Sequence, residues 1–61
     1  MSEKRHTIPG ARERGITRAV TYAEGAGYRW MLCTRSARFA DGIDYPTREE
    51  ARGAMVAAVQ S

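Results

Sequence analysis

The apolar and polar residues change their pattern twice along the chain. Residues 1–15, MSEKRHTIPGARERG, show no apolar period and carry the breakers Pro9, Gly10 and Gly15, which predicts an arm without fixed structure. From Ile16 the run Ile16-Thr17-Arg18-Ala19-Val20-Thr21-Tyr22 is rich in β-branched and aromatic residues. Ile16, Val20 and Tyr22 share one parity, so this segment reads as a strand. Glu24-Gly25-Ala26-Gly27 follows, and two glycines within three positions suit a tight hairpin. The return strand, Tyr28 to Thr34, puts Tyr28, Trp30 and Leu32 on one face as the expected core, with Arg29, Met31 and Cys33 on the other. A third short strand is expected around Ala37 to Ala40, with Phe39 turned inward, before a turn at Asp41-Gly42.

After Pro46 the period becomes helical. Thr47-Arg48-Glu49-Glu50 matches a capping box, in which Thr47 and Glu50 are expected to satisfy each other's backbone amides. Two acidic residues in the first turn also suit the helix dipole. Ala51, Ala54, Met55, Ala58 and Val59 form the stripe expected to lie on the sheet, and Tyr45 is placed to staple onto the first turn. The chain therefore reads as α+β: a small two- or three-stranded antiparallel sheet packed against one C-terminal helix. Residues 1–15 form a disordered basic arm and residues 16–61 a single domain.

Length sharpens this picture. At 61 residues the chain is near the lower limit for independent folding. Cys33 is the only cysteine, so no internal disulfide can form, and no Cys/His cluster offers a structural metal site. A lone cysteine, no apolar run near the ~20 residues needed to span a bilayer, and an N-terminus without an apolar signal core lead us to expect a cytoplasmic protein.

The net charge of +3 is unevenly distributed: residues 1–38 carry +5 and residues 39–61 carry −2. Such a dipolar chain attracts a polyanion to one side. Nine of the ten basic residues are arginine, whose planar fork binds phosphate bidentately. If the strands pair as read, Arg29 projects from the face opposite the helix, joined by Arg18 and Arg38. Arg35, Arg12 and Arg14 complete the candidate nucleic-acid-binding set. Tyr28 and Trp30 are expected in the core, which removes the aromatic platform of single-strand binders and points to duplex DNA or structured RNA, with duplex DNA favoured.

Other chemistry is poorly represented. His6 lies in the arm, where nothing is fixed to orient it, and reads as a spectator. Cys33 has no partner histidine and reads as a small apolar residue. Asp41, Asp44, Glu49 and Glu50 match no calcium-loop spacing and are accounted for mainly by the turn and the cap. Gly25-Ala26-Gly27 is a hairpin turn, with no Lys-Ser/Thr following to make a phosphate loop. No enzyme, catalytic residue, metal or cofactor is expected. The alternative reading is a phage or mobile-element accessory protein that covers and inhibits a host protein complex, such as a CRISPR effector. A homodimer is a further expectation, through the sheet edge or the Arg29-Met31-Cys33 face.

Tyr28-Arg29-Trp30 in a strand, a polar turn, and Tyr45-Pro46-Thr47-Arg48-Glu49-Glu50-Ala51 opening a helix together give an order of parts that resembles a known family. It is that of the sheet-plus-helix arm-type DNA-binding domains of tyrosine-family phage integrases and their plant Apetala-type relatives. The resemblance covers roughly residues 16–60. It implies a three-stranded sheet whose basic side chains enter the major groove, and by position Arg18, Arg29 and Arg38 would be that set. The chain departs from the family pattern in its weakly marked third strand.

Overall fold

A computed structural model describes residues 3–61. These form β1 (Lys4–Arg5), a 3₁₀ turn (Arg12–Arg14), β2 (Arg18–Glu24), β3 (Gly27–Cys33), β4 (Arg38–Phe39) and α1 (Arg48–Gln60). The strands make one antiparallel sheet in the order β1-β2-β3-β4, and α1 packs across β2 and β3. The architecture is the α+β sheet and C-terminal helix that the pattern predicts, with one strand more at the N-terminal edge.

The β2–β3 hairpin sets the register. Glu24 pairs with Gly27, leaving Gly25 and Ala26 as a two-residue loop. Gly25 has φ +60°, the positive φ that a type II′ turn needs at its first loop position. From there Thr21 pairs with Trp30 and Ala19 with Leu32, all on the helix side. Val20 pairs with Met31, Tyr22 with Arg29, and Arg18 with Cys33 on the open side. The parity shared by Val20 and Tyr22 therefore belongs to the face away from α1, and the small Ala19 and Thr21 take the helix side.

The core joins Ala19, Trp30 and Leu32 from the sheet to Ala51, Met55 and Val59 from the helix. The three helix residues recur every fourth position, a narrow stripe aimed at the sheet. Met55 is fully buried, and a side chain of this size contributes about 1.5–3 kcal/mol by leaving water. Ala58 of the expected stripe is exposed and Ala54 only half-buried, because two β-strands are too narrow to cover a wider helical face.

Residues 3–15 depart from the expected loose arm; residues 1 and 2 of that arm lie outside the described residues. Lys4 and Arg5 pair with Thr21 and Val20, and the His6 amide donates to the Ala19 carbonyl at 2.9 Å. Ile8 and Ala11 enter the core, and the Ala11 carbonyl accepts from the amides of both Arg14 and Ile16. Breakers that locally signal disorder here fold the chain back so that two apolar residues reach the edge of the core. Phe39 takes the helix side as expected, since it pairs with the buried Leu32, but it stays 53 % exposed because α1 packs mainly across β2 and β3.

The helix start is capped as expected in one direction only. Thr47 is extended and its hydroxyl accepts from the Glu50 amide at 3.1 Å. The Glu50 carboxylate accepts from that same hydroxyl, at 3.3 Å, and not from the Thr47 amide. Thr47→Ala should cost about 1 kcal/mol, lowering the thermal midpoint by roughly 4–8 °C in a domain of this size, as read by circular dichroism. Among the described residues no helix is long and apolar enough to cross a membrane.

Candidate nucleic-acid interface on the open sheet face

With one face of the sheet under α1, the other is free for side chains of opposite parity. The register arranges them in rows: Arg5, Val20 and Met31; Arg18, Cys33 and Arg38; Tyr22 and Arg29. Arg18, Arg29 and Arg38 are thus brought onto one face, as their sequence parity requires. Arg5 joins them. Its parity cannot be assigned while the segment around it is read as unpaired.

Two of these arginines are held by exposed ion pairs, Arg18 with Glu3 and Arg29 with Asp44. Glu3 precedes Lys4, the partner of Thr21, so Arg18 must run along β2 past Val20 to reach it. An arginine stem laid over an apolar side chain explains why Val20 is 0 % exposed on a face with no helix above it. Among the described residues Arg5, Arg12, Arg35 and Arg38 are exposed and make no ion pair. Arg35 lies in the β3–β4 turn and Arg12 in the 3₁₀ turn. Arg14 stands apart on the helix side, where its guanidinium donates to the Ser61 carbonyl at 3.3 Å.

A second polar cluster ties β1, β2 and α1 together. Thr21 is fully buried, and its Oγ1 lies 2.8 Å from His6 Nε2 and 3.1 Å from Arg48 Nη1. Arg48 also donates to the Thr21 carbonyl at 3.1 Å, and its guanidinium sits 5.0 Å from the Tyr28 ring centroid. Arginine can only donate, so Thr21 Oγ1 accepts from Arg48, and its hydroxyl pairs with His6 Nε2 as donor when that nitrogen is bare and as acceptor when it carries a proton. Burial, then Arg52, Lys4 and Arg48, hold the His6 pKa below its ordinary 6.5. His6 is accordingly fixed in place, where the sequence reading left it in a loose arm; its partner lies fifteen residues away, beyond any local pattern.

Asp41 organises the loop before the helix. It accepts from Trp30 Nε1 at 3.0 Å, from the Ile43 amide at 3.0 Å and from the Tyr45 hydroxyl. Burial raises its pKa, but the bonds from Tyr45, Ile43 and Trp30 outweigh that and hold the carboxyl below its ordinary range. The expected turn at Asp41 is thus also the anchor of the buried Trp30 ring. Among the described residues no group of three or more His, Cys, Asp or Glu is placed to hold a metal ion.

Comparison with protein-family models, with curated proteins and with solved structures finds no match to this chain.

Proposed function

We propose that the protein is a non-enzymatic nucleic-acid-binding module that lays its open sheet face against duplex DNA. The observation that carries this reading is the register, which gathers Arg5, Arg18, Arg29 and Arg38 on the face that α1 leaves bare. A twisted sheet of this width fits a major groove, where arginine reads guanine and grips flanking phosphates. The pairs of Arg18 with Glu3 and Arg29 with Asp44 support it: exposed pairs are weak, so each guanidinium is held in place yet exchanges a carboxylate for a phosphate at little cost. Trp30 and Tyr28 on the helix side argue against a single strand stacked on the sheet.

Fluorescence anisotropy with labelled duplex DNA, single-stranded DNA and structured RNA tests this. Four neutralised phosphates would give a slope of log K against log salt of about −4 on duplex DNA. The Arg18→Ala, Arg29→Ala, Arg38→Ala triple variant should flatten that slope by roughly one for each phosphate no longer held. Absence of binding to every probe at low salt would refute the reading.

One observation favours the second reading, a protein-docking role. Phe39 and Ile43 are 53 % and 52 % exposed. Phe39 also borders an apolar groove of about 400 Å³ with Ile16, Trp30, Leu32 and Val59. A host protein complex or a second copy of the chain would cover such a surface. Light scattering after size exclusion separates the homodimer from a monomer that awaits another partner.

A further inference from the structure

The N-terminal segment does more than add a strand. Where it folds back over the start of β2 it leaves a crevice of about 340 Å³ whose lining includes Arg5, Arg12, Arg18 and Thr7. Resting on the nucleic-acid reading, we propose that this crevice is a phosphate-binding site that holds a backbone phosphate of the duplex lying on the sheet. Arginines from three different elements, β1, the 3₁₀ turn and β2, line it. Of these, Arg18 is already matched by Glu3, whereas Arg5 and Arg12 make no ion pair among the described residues. The crevice therefore carries unmatched positive charge beside a hydroxyl donor, the combination that recognises a phosphate by bidentate and single hydrogen bonds.

Position links the crevice to the sheet. Arg5 and Arg18 line the crevice and also stand on the open face, by their register opposite Val20 and Cys33. A phosphate held at the crevice would thus lie at the β1 border of the surface that takes the groove, where the backbone of a bound duplex must pass.

The test uses the full chain and two sets of variants. Amide resonances are followed by NMR during titration with sodium phosphate, against sodium chloride at matched ionic strength. Duplex binding is then measured across salt for Arg5→Ala, Arg12→Ala and, separately, for Arg29→Ala, Arg38→Ala. Phosphate is expected to move resonances within residues 5–19. The crevice variant should abolish those shifts and flatten the duplex salt slope by roughly two. A crevice variant that keeps the parent slope, while the sheet variant loses affinity, overturns the phosphate site and leaves the nucleic-acid reading standing. Phosphate shifts at the crevice without duplex binding at any salt would support the site for free phosphate and overturn its nucleic-acid source. Resonances that ignore phosphate in a properly folded parent would overturn the site outright.

Discussion

Gly27→Ala is expected to destabilise the protein by about 1–3 kcal/mol, a fall of roughly 5–20 °C in the thermal midpoint. A Cβ at this position would stand 2.6 Å from the Tyr45 carbonyl oxygen and 3.5 Å from the Asp44 Cβ. Neither neighbour is the free end of a flexible chain. Tyr45 is fixed by two backbone bonds with Tyr28, each 2.8 Å, that dock the loop before the helix onto the edge of the hairpin. Making room for a methyl group must stretch this bridge. It must also shift Asp44 from Arg29 and Tyr45 from Asp41, so one added carbon disturbs both the open face and the anchor of Trp30. Gly53→Ala provides the internal contrast. Its Cβ would meet nothing within 4 Å, and alanine in a helix interior should stabilise by about 0.5–1 kcal/mol. Two Gly→Ala changes of opposite sign in thermal denaturation would support the close approach; equal effects would refute it.

Acidification should loosen the N-terminal segment before the rest of the molecule. The folded pKa of His6 is depressed, so its contribution is fully present above the unfolded value of 6.5 and is lost as pH falls through the folded value. Protonation charges a partly buried ring beside Arg52, Lys4 and Arg48 and leaves the Thr21 hydroxyl accepting from two cationic donors. The Asp41 carboxyl is depressed as well, but its contribution persists down to its ordinary 3.8 and fades only below that, so the two windows separate. The thermal midpoint should therefore decline as pH falls below about 6.5, and His6→Gln should remove that decline. Thr21→Val removes the partner of His6 Nε2 and one acceptor of Arg48, at a cost of about 1–3 kcal/mol at neutral pH. Hydrogen exchange at the His6 amide reports the loosening directly. A midpoint that stays flat from pH 7.5 to 5 would show that the imidazole does not control docking.

Local chemistry explains why some of this is legible from sequence. The hairpin is specified by two glycines between strands of clear parity, and the helix by a proline, a threonine cap and apolar residues at helical spacing. Each signal lies within a few residues of the structure that it specifies. Arg18, Arg29 and Arg38 follow from the same parity, because a strand paired through a two-residue loop has no freedom to turn its side chains over. The N-terminal segment escapes because its order comes from residues distant in sequence: Ile8 and Ala11 against the core, and His6 on Thr21. Arg5 and the crevice are hidden for the same reason. Phe39 defeats the pattern by a different route, since alternation predicts which side of the sheet a residue takes but not how far a helix extends across that side.

The order of strands across the sheet repeats their order along the chain, with every pairing made between sequence neighbours. No strand has to find its place between two others already joined. Search over chain conformations during folding is correspondingly short, because the hairpin can zip from Gly25 and recruit its flanking strands outward without closing a long loop first. For a domain with so small a core, speed of assembly limits the time during which unpaired edges and the bare apolar face are open to other chains.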